Sequence, residues 1–242
     1  MTPKAFIFDL DGVLTDTAHY HFLAWKALAD EFGFHFDEKD NERLKGVSRI
    51  RSFEIILEIN DALDRFTPEQ KEFYANKKND HYVELIGQIT PADILPGVSA
   101  FLKDAKARGI KLAVASASRN ANKVLSSLQI ADEFDYIADA AKVKKTKPDP
   151  EVFLVCRDAL GLTSGECIGF EDAQAGIEAI HAAGMFAVGI HVDVRTEEPD
   201  LHLASTSGLN VDRILAAWGT HWFFFFQEKE PKRTFLRRKA TW

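Results

Sequence analysis

Five short apolar runs, each long enough for a strand and too short for a helix, limit what this chain can fold into. They lie at residues 4–10, 111–115, 135–138, 166–170 and 186–190. The first reads Ala5-Phe6-Ile7-Phe8 and then meets Asp9 and Gly12. Unbroken apolar runs of this kind suit strands covered on both faces, which is the situation in parallel sheets. Helical patterns separate them at 98–108, 119–128, 150–160 and 173–183. Gly109, Gly161 and Gly184 stand where three of these helices should stop. The alternation predicts an α/β fold, a Rossmann-like core whose parallel sheet carries helices on both faces.

Residues 16–92 break the alternation. Phe22, Trp25, Leu28, Ala29 and Phe32 follow helical spacing, and Thr67-Pro68-Glu69-Gln70 opens another helix with proline in its first turn. Roughly 75 helical residues between the first two strands are too many for one crossover. They read as an inserted α-helical cap domain, with connections near 15–17 and 89–94 that could hinge. The core is then 1–15 and 93–218, with a last helix holding Val211, Ile214, Leu215 and Trp218. Residues 219–242 form a C-terminal tail, expected to be poorly ordered, in which four phenylalanines, Phe223 to Phe226, precede a basic stretch.

A formal net charge of -7 argues against a general nucleic-acid surface, although a local cationic pocket remains possible. No membrane span is expected, and the first residues lack the form of a signal peptide, so a cytoplasmic location is the default. Cys156 and Cys167 sit in apolar contexts and read as reduced, buried thiols.

The chemistry gathers where strands should end. Asp9-Leu10-Asp11-Gly12 closes the first run, with two carboxylates at i and i+2 and a glycine that permits a sharp turn. Glu171-Asp172 follows the fourth run. In open α/β sheets ligands bind at the carboxyl ends of strands. Four carboxylates at one edge would repel one another, and a divalent cation resolves that. Oxygen donors and phosphoryl chemistry favour Mg2+. Ser116-Ala117-Ser118 after the second run offers hydroxyls and backbone N–H groups to a phosphate, with helix capping by Ser118 as an equal alternative. Lys147, before Pro148, is a candidate phosphate clamp.

Asp9-x-Asp11-Gly12, Ser116, Lys147-Pro148 and Glu171-Asp172 resemble, in order and spacing, the haloacid dehalogenase (HAD) superfamily over about residues 4–190. Within it the cap segments Thr15-Asp16-Thr17-Ala18, His21-Phe22-x-Ala24-Trp25, Leu44-Lys45-Gly46-Val47-Ser48-Arg49 and Lys78-Asn79-Asp80 resemble the β-phosphoglucomutase family. The resemblance implies a nucleophile, Asp9, that becomes an aspartyl-phosphate, and an acid/base, Asp11. It implies Mg2+ held by Asp9, Asp172 and the Asp11 carbonyl with Glu171 assisting. Ser116, Ala117, Ser118 and Lys147 would bind the transferring phosphate, beside Gly12. Arg49 would take a distal phosphate, with Lys45, Gly46, Val47, Ser48 and Lys78 facing the substrate. Thr17 and His21 would orient Asp11 at the hinge.

The reaction so implied interconverts β-glucose 1-phosphate and glucose 6-phosphate through β-glucose 1,6-bisphosphate. The implied partners are a phosphorylated hexose and its bisphosphate, and the implied state is a monomer. Hydrolysis of small sugar phosphates is the alternative, and a non-catalytic scaffold is a third reading. One departure stands out: Arg51 lies where relatives usually carry an acidic residue.

Overall fold

The structure, a computed structural model, describes residues 2–44, 47–116, 118–194 and 196–229, with the backbone alone for 222–229. Six parallel strands form one sheet: β1 (Ala5–Phe8), β2 (Lys111–Val114), β3 (Tyr136–Ile137), β4 (Cys167–Glu171), β5 (Phe186–Ile190) and β6 (Leu201–Leu203). Their order across the sheet is β3-β2-β1-β4-β5-β6. The chain direction across the sheet reverses between β1 and β4, where Phe8 pairs with Phe170. That reversal leaves a crevice at the carboxyl ends of the two central strands.

Alternation along the strands sorts side chains by size. Phe6 and Phe8 of β1, Leu112 and Val114 of β2, and Ile168 and Phe170 of β4 face one core. There they meet α5 (Val98–Ala107), α6 (Ala121–Ser127) and α9 (Val211–Lys229). Ala5, Ile7, Ala113, Cys167 and Ala187 face the other, under α7 (Glu151–Leu160) and α8 (Gln174–Ala182). The large face is aromatic: the Phe8 and Phe170 rings lie 4.6 Å apart at 18°, and Phe6 stacks on Phe101 at 5.4 Å. Burying one such ring stabilises the fold by about 1.5–3 kcal/mol. On the small face α8 comes so close that a Cβ on Gly169 would sit 2.6 Å from Ile180 Cγ1. Both cysteines are buried and free, as the sequence suggests.

Between β1 and β2 the chain forms the helical cap, α1 (Ala18–Glu31), α2 (Glu38–Asn41), α3 (Arg49–Ile59) and α4 (Pro68–Leu85). Thr67 and Gln70 close a capping box at the start of α4, with Pro68 in the first turn. The cap has its own aromatic core of Trp25, Phe36, Phe53 and Phe66. Its base does not: Ala24, Tyr82, Ile86 and Ile89 belong to the core under the sheet. The two crossings run side by side. Thr15 bridges to Ile94, Leu95 N–H donates to Leu14 O at 3.0 Å, and Thr15 Oγ1 donates to Asp93 O at 2.8 Å.

Three sequence expectations change. β6 was absent from the five expected strands. It is a three-residue edge strand, Leu-His-Leu, with no apolar run to announce it, and Asp200 just before it accepts from Ala187 N–H of β5 at 2.8 Å. The helix expected from 119 begins at Ala121. The last helix passes Trp218 and continues to Lys229, so the first half of the expected tail is helical; residues 230–242 lie outside the described residues. Among the described residues no helix is long and apolar enough to cross a membrane.

Candidate active site

The carboxyl ends of β1 and β4 bring Asp9, Glu171 and Asp172 together, each offering a carboxylate oxygen within 4.8 Å of the others. Asp9 leaves β1 with its N–H donating to Phe170 O at 2.9 Å, which fixes it against β4. Its Oδ2 accepts from Asp11 N–H at 3.0 Å, and its Oδ1 accepts from Lys147 Nζ at 2.5 Å. Lys147, joined to Pro148 by a cis peptide, also bonds Glu171 Oε1. Glu171 is buried, and its Oε2 accepts from Asp172 N–H and Ala173 N–H, each at 3.0 Å. Burial opposes a charge on Lys147, yet Asp9 and Glu171 hold its pKa above the ordinary lysine value.

Asp9 and Glu171 share the Lys147 cation, with Asp172 close to both. Asp172 is pushed up to about 8, first by burial and then by the charges of Glu171, Asp9 and Asp11. A carboxyl so disfavoured as an anion is one that a nearby positive charge would favour in its ionised form. The oxygen-only donor set, the close oxygens and the raised Asp172 fit a hard divalent cation such as Mg2+. Gly12 makes the approach of Asp172 possible. It holds φ at 72°, and a Cβ there would lie 2.1 Å from Asp172 Oδ2.

Asp11 differs from the expectation of a fourth metal-facing carboxylate. Gly12 N–H donates to Thr15 O at 2.8 Å, and the tight turn so formed carries Thr17 back over Asp11. Asp11 Oδ1 accepts from Thr17 N–H at 3.1 Å and from the Thr17 hydroxyl. Its side chain is outside the Asp9–Glu171–Asp172 group, which leaves only its backbone for a metal. Burial, then the charge of Asp9, raises the Asp11 carboxyl to about 6. A carboxyl in that range can both give and take a proton near neutrality.

Ser116 is buried after β2, and its Oγ accepts from Ser118 N–H at 3.1 Å. Ser118 does not cap α6. Asn120 holds the cap position, and Ser118 Oγ accepts from Asn120 N–H at 3.3 Å in the turn before it. In the cap, Ser48 is the N-cap of α3, accepting from Arg51 N–H at 3.4 Å, and Val47 packs on the cap core. Arg51, the departure from the family pattern, pairs within α3 with Glu58 at 2.6 Å. Lys45, Gly46 and Ala117 lie outside the described residues.

Arg49 is held by two neutral amides, donating to Asn76 Oδ1 at 3.0 Å and Asn79 Oδ1 at 2.8 Å. Burial and the nearby charge of Arg119 lower its pKa. Asn120 Nδ2 donates to the same Asn79 oxygen at 3.2 Å, which joins the cap to the turn before α6. Lys78 is buried, with Nζ 2.8 Å from His21 Nδ1 and 4.6 Å from the Trp25 ring centroid. Burial, then Arg49, lowers Lys78 to about 7; burial, Lys78 and Arg49 lower His21 to about 3, so the imidazole is neutral. Asn76, Arg119, Asn120 and Tyr82 carry no signal of their own in the sequence, and Asn79 was marked only as part of the Lys78-Asn79-Asp80 segment.

A family model for haloacid dehalogenase-like hydrolases matches residues 3–184, and the chain belongs to that family. More narrowly, it is 45% identical over 215 residues to the β-phosphoglucomutase of Bacillus subtilis, covering 89% of this chain and 95% of that protein. It is 34% identical over 187 residues to the phosphorylated carbohydrates phosphatase of Thermotoga maritima, over 75% of this chain and 82% of that one. The crystal structure of β-phosphoglucomutase from Clostridium difficile superposes with a TM-score of 0.85 at 46% identity, over 91% of this chain and 99% of that one.

Proposed function

We propose that the chain is a phosphotransferase that interconverts β-D-glucose 1-phosphate and β-D-glucose 6-phosphate through an aspartyl-phosphate on Asp9. Phospho-Asp9 passes its phosphoryl group to the 6-hydroxyl of β-glucose 1-phosphate while Asp11 takes the hydroxyl proton. The bisphosphate turns over in the site. Asp9 then attacks the phosphorus at C1, the bond from phosphorus to sugar oxygen breaks, and Asp11 returns its proton to that oxygen. A carboxylate nucleophile thus divides the transfer into two in-line steps.

Lys147, Ser116 and the backbone around Ala117 and Ser118 cradle the oxygens of the transferring group, and Gly12 leaves room for it. Asp9, Asp172 and the Asp11 carbonyl would hold Mg2+, with Glu171 fixing Lys147 and the backbone of Asp172 beside it. Bound there, the ion supplies positive charge against the phosphoryl oxygens.

The observation that carries mutase over phosphatase chemistry is the second cationic site. Arg49 is held by Asn76 and Asn79, beside Arg119, and tied through Asn79 to Asn120. Hydrolysis needs only the cradle around Asp9, whereas a bisphosphate needs a receptor for its other phosphate. A guanidinium positioned by neutral amides rather than by a carboxylate keeps its charge for that group. Lys45, Gly46, Val47, Ser48 and Lys78 line the cap side in this reading, and Thr17 and His21 lie at the hinge between a core (1–15 and 93–218) and a cap (16–92). The enzyme is read as a cytoplasmic monomer acting on phosphorylated hexoses. The phosphatase of T. maritima keeps hydrolysis as the second reading.

Phosphorus NMR of the protein with Mg2+, β-glucose 1-phosphate and a trace of β-glucose 1,6-bisphosphate tests the proposal. Glucose 6-phosphate should appear, with no turnover of the α anomer. Release of inorganic phosphate without glucose 6-phosphate would overturn the mutase reading in favour of hydrolysis.

A further inference from the structure

Tyr82 stands in the last turns of α4, in the cap, yet it belongs to the core beneath the sheet and is 1% exposed. Its ring has two close neighbours: His21 stacks on it at 3.9 Å and 22°, and Lys78 Nζ lies 5.0 Å from its centroid. Its hydroxyl donates to Thr17 Oγ1 at 3.2 Å. Thr17 is fully buried, so this bond has no competition from bulk water.

The direction of that bond decides what Thr17 can do. A threonine hydroxyl has one proton. With its oxygen accepting from Tyr82, that proton goes to Asp11 Oδ1, the atom it contacts. Thr17 N–H donates to the same oxygen at 3.1 Å. Oδ1 therefore accepts twice, and the exchangeable proton of Asp11 resides on Oδ2. The same oxygen that gives the proton is the one free to take it back. Without the Tyr82 hydroxyl, Thr17 could rotate and accept from a proton placed on Oδ1, where it faces the hinge instead of the sugar oxygen.

We infer that Tyr82 is a positioning residue: through Thr17 it fixes the proton of Asp11 on Oδ2, so that the acid/base is oriented by an aromatic side chain of the cap. The inference rests on the phosphotransferase reading and extends it by one residue that the sequence did not single out.

The test compares two donors to Asp9 in single-turnover experiments on the full chain. Transfer from β-glucose 1,6-bisphosphate expels a sugar oxygen and needs the Asp11 proton. The burst from 4-nitrophenyl phosphate expels a stable phenolate and does not. Positioned acid catalysis is worth about 10²–10⁴-fold, so losing its alignment through Tyr82→Phe should slow the bisphosphate reaction about tenfold more than the aryl reaction. Phenylalanine keeps the stacked ring, so the fold is retained, and thermal unfolding verifies it.

Thr17→Val supplies the second arm. If Tyr82 acts through Thr17, Tyr82→Phe costs nothing further in the Thr17→Val background. Equal slowing of both donors by Tyr82→Phe, or additive losses in the double variant, would overturn the inference. Failure of the unsubstituted protein to accept phosphate from the bisphosphate would instead overturn the phosphotransferase reading beneath it.

Discussion

Replacing Gly12 by alanine probes the closest approach in the site. The backbone there has φ of 72°, in the left-handed region, where a side chain costs roughly 1–2 kcal/mol. The larger effect is steric. The new Cβ would lie 2.1 Å from Asp172 Oδ2, 2.4 Å from its Cγ and 2.8 Å from its Cβ. Ordinary contact starts at 3.4 Å, so the carboxylate oxygen must retreat by 1.3 Å (3.4 less 2.1) or rotate away. Either response separates Asp172 from Asp9. Disturbing the support of a metal ligand typically costs about 10–100-fold in affinity. Gly12→Ala should therefore lose that much in Mg2+ affinity by calorimetric titration, while thermal unfolding of the metal-free protein reports the backbone and steric cost to folding. A Gly12→Ala protein that binds Mg2+ as tightly as the parent would refute the assignment of Asp172 as a ligand, whatever its stability.

Arg49→Ala removes a charged hydrogen-bond donor from the distal phosphate, which corresponds to roughly 10- to 100-fold in mutase rate. Hydrolysis of 4-nitrophenyl phosphate has no second phosphate and should change far less; equal losses in both assays would count against the distal role. Asp172 also predicts a pH dependence. Folded Asp172 keeps its proton to about 8, whereas an unfolded aspartate releases it near its ordinary 3.8. The contribution of this group is thus fully present below about pH 4 and is lost as pH rises towards 8. The melting temperature of metal-free protein should fall across that window more than that of Asp172→Asn, and the gain on adding Mg2+ should grow across it. A metal gain independent of pH would contradict this. Gly169→Ala drives a methyl to within 2.6 Å of Ile180 Cγ1, and overpacking of this kind costs about 1–3 kcal/mol. Urea unfolding should show that loss, and an unchanged midpoint would mean α8 yields freely.

The central strands were legible because a strand covered on both faces must be apolar along its covered length; β1 and β5 are so throughout, and charge enters only at the first residue of β2 and the last of β4. The capping box at Thr67 was legible because its physics is local. The meeting of Asp9 with Glu171 and Asp172 could be read from strand ends alone, since strand order brings the ends of β1 and β4 together. Spacing alone did not show the orientation of Asp11: i and i+2 places it beside Asp9, while the turn through Gly12 and Thr15 takes it to Thr17, a pairing that only the family resemblance suggested. Tyr82 escaped for another reason. It is flanked by Asp80, His81 and Glu84, so its neighbourhood in sequence looks solvated, and its burial comes from the packing of the cap base on the sheet. The distal group of Asn76, Asn79 and Asn120 likewise exists only when α4 meets the start of α6.

The place of β1 in the middle of the sheet bears on which parts of the molecule can breathe. Its amides are paired to β2 on one side and β4 on the other, beneath stacked phenyl rings. Such amides exchange with solvent only through the rarest, most extensive openings, while loops and domain bases fluctuate far more often. Asp9 is thereby mounted on the slowest-exchanging segment of the chain. Arg49 and Tyr82 sit instead on helices of the cap, outside that sheet.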